Sequence, residues 1–126
     1  MTREFKRIDE IDKYYDKETN TYVFKEGEKY IDSVIIDFDL YVDANIEACD
    51  LECMDIEAQY IDVMDLNALK VEADTVDAHT IKAYKVECNN LIYRSKYSDI
   101  KHIVCKSIND RDGLVKGELE VEQNEK

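Results

Sequence analysis

Residues 46–92 decide the fold, and they read IEACDLECMDIEAQYIDVMDLNALKVEADTVDAHTIKAYKVECNNLI. Every fifth residue from Ile46 to Leu91 is a branched aliphatic, ten times in succession. Two residues after each of the first nine lies Ala or Cys, with Val63 as the exception, and the residue between is charged or polar. This is an internal repeat whose unit is aliphatic, polar, small, variable, polar.

A period of five fits neither a helix nor a flat strand. Five residues rotate a helix by about 500°, so the aliphatics would spiral around it and leave no apolar face. Within one unit the aliphatic and the small residue are two apart, so both point to one side of an extended segment, and the rest must turn a corner. We therefore predict an all-β solenoid. Four such sides would make a square coil of about 20 residues, stacked on the next coil at about 4.8 Å.

The repeat resembles that of the pentapeptide-repeat proteins, which implies a quadrilateral, five-residue-repeat β-helix. The resemblance covers residues 46–92. The register differs from the family's usual unit, because the small residue follows the aliphatic by two instead of preceding it. This aliphatic-x-small variant is similar to uncharacterised repeat proteins of phages and Gram-positive bacteria.

The length of 126 residues, without proline and with three glycines, indicates a single domain, 1–126. We expect an N-terminal cap and lead-in strand over 1–45, the solenoid over 46–108, and a C-terminal hairpin and tail over 109–126. In the cap, Phe5, Ile8, Ile11 and Tyr15 predict a short helical face. Further predicted elements are a strand from Thr21 to Phe24, a turn over 25–28, one long strand from Ser33 to Ile46, a bulged loop after Leu91 and a hairpin from Leu114 to Val121.

The sequence contains no recognisable catalytic or metal-binding motif. His79 and His102 stand in no catalytic spacing, and the four cysteines follow the repeat instead of a zinc spacing. A calcium-binding β-helix would need Gly-rich Asp turns, and the repeat has no glycine. We expect no catalytic residues, no metal and no cofactor, and hence a protein that is not an enzyme.

The net charge of −13 is concentrated at the N-terminal side and in the repeat. Residues 46–92 hold 11 acids and 3 bases, a net charge of −8. In a coil of about 20 residues, Glu52 would lie under Glu72 and Glu57 under Asp77, so that one side is strongly acidic. The predicted line density, about one negative charge per 1.4 Å, approaches the one per ~1.7 Å of duplex DNA.

These charges lead to the hypothesis of an acidic DNA mimic that occupies the basic nucleic-acid-binding groove of a bacterial enzyme or defence nuclease. Some pentapeptide-repeat proteins are regarded as DNA mimics acting on DNA gyrase, and small acidic phage proteins block restriction or CRISPR nucleases. The expected partner is a nuclease, CRISPR effector or topoisomerase, without direct nucleic-acid binding. The predicted phosphate surrogates are Asp50, Glu52, Asp55, Glu57, Glu72, Asp74 and Asp77, and the predicted apolar contacts are Met54, Tyr60, Met64 and Tyr84.

The alternative is a structural or assembly module whose acidic surface serves solubility and prevents edge-to-edge stacking. Its contacts would be insensitive to salt. A metal- or sugar-acting β-helix enzyme ranks below both, because no catalytic constellation supports it. A homodimer through one end of the solenoid is a further expectation. No apolar run approaches a membrane span and the first residues do not read as a signal peptide, so we expect no membrane association and a cytoplasmic protein, in the bacterial host cytosol if phage-encoded.

Overall fold

The chain forms an all-β parallel solenoid of about four turns, which confirms the predicted fold class. The computed structural model describes residues 2–95, 97–110 and 118–121. The strands are β1 Thr2–Phe5, β2 Tyr15–Asp16, β3 Thr21–Val23, β4 Lys25–Glu26, β5 Lys29–Tyr30, β6 Ser33–Ile36, β7 Leu40–Tyr41, β8 Asn45–Cys53, β9 Asp55–Glu57, β10 Tyr60–Tyr93, β11 Asp99–Asp110 and β12 Glu118–Val121, and a 3₁₀ helix covers Ile8–Tyr14.

One coil of the repeat takes 15 residues instead of 20. Ile61 pairs with Ile46 and Leu66 with Leu51 in parallel register, and Val71 pairs with Ile56. Three five-residue units therefore close a coil, and the predicted square coil is wrong. The repeat sets the distance between corners, but the turning angle at each corner decides how many units close the coil.

The corners lie at the fourth residue of each unit. The carbonyl of Met54 accepts hydrogen bonds from the backbone N–H of Leu69 at 2.9 Å and of Lys70 at 3.3 Å. The carbonyls of Gln59 and His79 accept two N–H groups from the next coil in the same way. We number the sides by their aliphatics: the first side holds Ile46, Ile61, Val76 and Leu91, the second Leu51, Leu66 and Ile81, and the third Ile56, Val71 and Val86.

Each corner takes the number of the side that it follows. The first corner holds Cys49, Met64, His79 and Arg94, the second Met54, Leu69 and Tyr84, and the third Gln59, Asp74 and Asn89.

The repeat aliphatics fill the interior as columns. All ten, from Ile46 to Leu91, have a relative exposure of 1% or less. The small residues are also buried, except for Ala73, which is partly buried. Full burial of a branched aliphatic contributes about 1.5–3 kcal/mol, so these columns are the main source of stability in the coils.

The segment before the repeat is itself a coil and not the predicted single strand from Ser33 to Ile46. Strand β6 pairs with β8, with Val34 opposite Leu51, and β7 pairs with β9, with Leu40 opposite Ile56. The chain bends between these strands. An alternation of apolar and polar residues has the same appearance in a straight strand and in a chain that turns corners, so the pattern did not reveal the bends.

The N-terminal cap packs on the open end of this first coil. Strand β1 pairs with β6, and β3 pairs with β8. Ile11 and Tyr14 are buried, whereas the predicted Ile8 and Tyr15 are exposed. The 3₁₀ period of three places Tyr14 instead of Tyr15 on the face of Ile11, whereas Ile8, which shares this face, is the first residue of the helix and is exposed. Between β4 and β5 the chain turns at Gly27, whose φ of +63° suits glycine.

The last coils depart from the 15-residue register. Ile103 pairs with Val86 and Cys105 with Cys88, a spacing of 17, because a loop after Tyr93, two residues beyond the bulge expected after Leu91, adds two residues. Strand β12 pairs in parallel with β11. Residues 114–117 of the predicted Leu114–Val121 hairpin lie outside the described residues, and Glu118–Val121 extends the parallel sheet.

Candidate protein-interaction surface

The 15-residue register stacks the acids differently from the prediction. Glu57 pairs with Glu72, and Glu52 pairs with Asn67. The predicted stacks of Glu52 on Glu72 and of Glu57 on Asp77 are therefore wrong, because both assumed four sides per coil.

Instead, acids of successive coils form a ladder on each of the three sides. Glu47 stands opposite Asp62, and Asp50 opposite Asp65. Successive rungs lie about 4.8 Å apart, the spacing of neighbouring strands. The ladders are Glu47, Asp62 and Asp77 on the first side, Asp50 and Asp65 on the second, and Glu57, Glu72 and Glu87 on the third.

Two carboxyl groups of the ladders, those of Asp50 and Asp62, lie in an unfavourable electrostatic environment. Partial burial, then the charge and hydrogen bond of Asp65, raises the pKa of Asp50. Partial burial, then the charges of Asp77 and Glu47, raises the pKa of Asp62. Like charges at strand spacing repel, so a cationic partner that neutralised them would relieve the repulsion.

Few cations of the protein itself neutralise the carboxylates of the ladders. Among the described residues, Asp77 pairs with Arg94 at 2.8 Å and Glu87 with Lys85 at 3.7 Å. The other nine acids of residues 46–92 make no ion pair within the described part of the chain. Most of the acidic charge of the coils is thus available to an external partner.

The seven predicted phosphate surrogates do not form one surface. Asp50 and Glu52 lie on the second side, and Asp55, Glu57 and Glu72 lie on the adjoining third side. Asp74 stands at the third corner, where the side chain of Asn89 donates a hydrogen bond to it. Asp77 lies on the first side and is paired with Arg94. Five of the seven therefore flank the second corner, and two lie elsewhere.

The predicted apolar contacts also separate. Met54 and Tyr84 stand at the second corner, 49% and 65% exposed. Met64 stands at the first corner and Tyr60 on the first side, 55% and 39% exposed. Between Met54 and Tyr84 lies Leu69, 53% exposed, which the sequence analysis missed. The signal was present, because Met54, Leu69 and Tyr84 are spaced by 15 residues.

A shallow recess opens beside this corner on the third side. Its volume is about 290 Å³. Tyr41, 59% exposed, forms one edge, and this tyrosine was also missed because it appeared to lie within a regular strand. The recess is lined by Tyr41, Asp55, Ile56, Glu57, Lys70 and Glu72.

The cysteines are poor nucleophiles in this environment. Burial, followed by nearby acidic charges for Cys53 and by Cys105 for Cys88, raises the pKa of each of these two thiols to about 12. The thiol form, which reacts weakly, therefore dominates at neutral pH. Among residues 2–95, 97–110 and 118–121, no group of three His, Cys, Asp or Glu side chains is arranged to hold a metal ion.

Comparisons with known proteins do not extend this picture: no family model, no curated protein and no solved structure matches the chain. In the described residues, no helix has the length and apolar character needed to cross a membrane.

Proposed function

We propose that this protein is a non-enzymatic acidic DNA mimic that occupies the basic nucleic-acid-binding groove of a bacterial enzyme or defence nuclease. The observation that supports it best is the set of acid ladders, most of whose carboxylates have no cation of the described chain within salt-bridge distance. The target classes are a topoisomerase of the gyrase type, a restriction enzyme and a CRISPR effector.

The charge density of the coils agrees with this role. Residues 46–92 at 15 residues per coil span about three coils, or roughly 15 Å at strand spacing. Their net charge of −8, from 11 acids and 3 bases, corresponds to about one negative charge per 1.9 Å. Duplex DNA carries one per ~1.7 Å. The negative charge per unit length of the three-sided coil is closer to that of DNA than the value expected for a square coil.

Such a rod would bind as nucleic acid does. A groove lined with Arg and Lys attracts it over long range, and binding releases the counterions of both partners. The resemblance of the repeat to pentapeptide-repeat proteins, some of which are regarded as DNA mimics, supports the proposal by analogy, and so does the similarity of its variant register to phage-encoded repeat proteins.

The first test is capture from a nuclease-treated bacterial lysate, with elution by rising salt and competition by added duplex DNA. We expect nucleic-acid-binding enzymes to elute at moderate salt and to be displaced by DNA. The variant Glu57→Gln/Glu72→Gln/Asp50→Asn should retain less of them than the wild type, because each change removes a ladder charge. Capture that resists both salt and DNA would exclude the mimic.

A structural or assembly module is the second candidate. It is favoured by the presence of ladders on all three sides, since a charge that serves solubility has no reason to select one face. In that case the same triple variant would lower solubility without changing any specific contact, and a homodimer through one end of the solenoid would be the partner to look for.

A further inference from the structure

The second corner carries a continuous apolar line on the outside of the coils. We call Met54, Leu69 and Tyr84 the corner ridge. The N–H of Leu69 donates to the carbonyl of Met54 at 2.9 Å, so these two residues stand on adjacent coils, about 4.8 Å apart. Their relative exposures are 49%, 53% and 65%.

The other two corners have no such line. The first corner presents Cys49, Met64, His79 and Arg94, and the third presents Gln59, Asp74 and Asn89. Exposed apolar side chains that stand singly need no explanation, whereas a contiguous patch with a polar rim marks an interaction site. The ridge is such a patch, with charged residues on both flanks.

The charges beside the ridge change along its length. Met54 lies between Glu52 and Asp55, with Asp50 and Glu57 next to them. Tyr84, at the other end, lies between Lys82 and Lys85. Leu69 lies between them, with Asn67 and Lys70 on its two sides. The rim is thus acidic at the Met54 end and carries both signs at the Tyr84 end, since Asp99 stands opposite Lys82 and Glu87 lies 3.7 Å from Lys85.

We propose that the corner ridge is the docking edge of the protein, inserted into a groove with an apolar floor whose walls carry Arg and Lys at the Met54 end. This inference rests on the proposed function, since the groove is the nucleic-acid-binding groove of the target. Charge complementarity selects this occupant: basic walls meet Glu52 and Asp55, whereas in the reverse orientation the same walls would face Lys82 and Lys85.

The recess on the third side adds to the fit. Three carboxylates, those of Asp55, Glu57 and Glu72, line it together with Tyr41 and one cation, Lys70. A guanidinium on a groove wall would meet carboxylates and an aromatic face there while the ridge meets the floor. A desolvated apolar centre with charged surroundings is the arrangement in which a few residues carry most of the binding energy.

The test compares two double variants with equal chemistry. The variant Leu69→Ser/Tyr84→Ser removes two side chains of the ridge. The control variant Met64→Ser/Tyr60→Ser removes one apolar side chain and one tyrosine outside the ridge. The exposures of Leu69 and Met64, 53% and 55%, are almost equal. Neither variant alters the charge at neutral pH. The probes are a purified bacterial type II topoisomerase, a restriction endonuclease and a guide-loaded CRISPR nuclease, each free of target DNA and measured by biolayer interferometry at low and at physiological salt.

For a probe that binds the wild type, we expect the ridge variant to weaken binding about tenfold or more and the control variant to change it less than about twofold. The salt dependence should stay the same in both, because no charge is changed. Circular dichroism and thermal melting verify the fold, and Met54→Gln, at the opposite end of the ridge, provides an independent second variant.

The other possible outcomes would overturn the corner ridge, its orientation in the groove, or the proposed function. If both double variants bind equally well, or are weakened equally, the corner ridge is not the docking edge. If binding still depends on salt in that case, the DNA-mimic proposal stands. We expect binding to be weakened less by Lys82→Glu/Lys85→Glu than by Glu52→Lys/Asp55→Lys. The reverse order would overturn the proposed orientation of the ridge. A wild-type protein that binds none of the probes overturns the proposed function and the ridge with it.

Discussion

The N-terminal cap, residues 2–32, and the regular coils, residues 46–92, differ in how they arrange their charges. In the cap, Arg3 pairs with Glu26 at 2.6 Å, and the carboxylate of Glu10 accepts the N–H groups of Lys6 and Arg7. In the coils, Asp50 stacks on Asp65 and Glu57 on Glu72. A repeated unit places similar residues above one another, whereas a non-repeating segment can place unlike charges together.

The two regions also differ in their cores. The coils stack aliphatics in columns, each contacting the equivalent residue of the next coil. The cap has a cluster of aromatic rings, with Tyr14 5.5 Å from Phe5 and 5.3 Å from Phe24 between ring centroids. The comparison indicates that the coils depend on many equal contacts and the cap on a few large ones.

The largest effect should come from the cap. Phe24 is fully buried, and Phe24→Ala should lower the free energy of unfolding by about 3–5 kcal/mol because it leaves a cavity among the rings. Phe38→Ala, at a partly buried position, should cost clearly less. Urea unfolding followed by circular dichroism measures both. Equal losses would show that the cap does not depend on the ring cluster.

In the coils, the small inward residues should resist enlargement. Ala78 has no exposed surface, and Ala78→Leu should destabilise the protein by about 1–3 kcal/mol through overpacking. Ala73 occupies the same place in its unit but is partly buried, so Ala73→Leu should be tolerated better. If denaturation midpoints fall equally for the two variants, burial at this position does not decide the requirement for a small residue.

A buried polar contact ties the loop after Tyr93 to the preceding coil. The buried hydroxyl oxygen of Ser98 accepts the N–H of Ile81 at 3.1 Å. Ser98→Ala leaves that N–H without this acceptor and should cost about 1–3 kcal/mol. Ser107→Ala, at an exposed position, should stay within about 0.5 kcal/mol of the wild type. Thermal unfolding of both variants tests the contact, and unchanged stability in Ser98→Ala contradicts it.

The smallest effect is on the pH dependence of stability, with opposite signs in the two regions. The pKa of Asp50 and of Asp62 is raised above 3.8, so their contribution is full below that value and is lost as pH rises through the folded pKa. Backbone hydrogen bonds lower the pKa of Glu10, and the hydrogen bond with Arg3 lowers that of Glu26, below 4.5. Their contribution is present above 4.5 and is lost as pH falls through the folded pKa.

As pH falls through the folded pKa of Asp50 and Asp62, the repulsion in the ladders is relieved and the melting temperature should rise. Asp50→Asn/Asp62→Asn should flatten this rise and stabilise the protein at pH 7, by less than about 1 kcal/mol after screening by water. Asp37→Asn/Glu28→Gln, at exposed positions outside the ladders, matches this change of two charges. An identical pH profile for the double variant and the wild type contradicts the repulsion.

The candidate site was predicted only in part. The acids of the second and third sides and the exposed Met54 and Tyr84 were found, because outward positions of the repeat can be read from the unit. The structure places Asp74, Asp77, Tyr60 and Met64 away from the second corner, because the grouping of outward residues depends on the number of units per coil. Leu69 and Tyr41 were missed, because an apolar residue at an outward position is recognised only when its neighbours in space are known.

The sequence by itself determined that the chain is a β-solenoid, which residues face inward, and that the coils are acidic. These properties follow from the direction of side chains along an extended segment, which depends only on local geometry. The tertiary structure decided that three units close a coil, that Ser33–Ile36 and Leu40–Tyr41 belong to a coil of their own, and that three apolar residues meet at one corner. All three depend on the angle at the corners, which arises from the packing of successive coils.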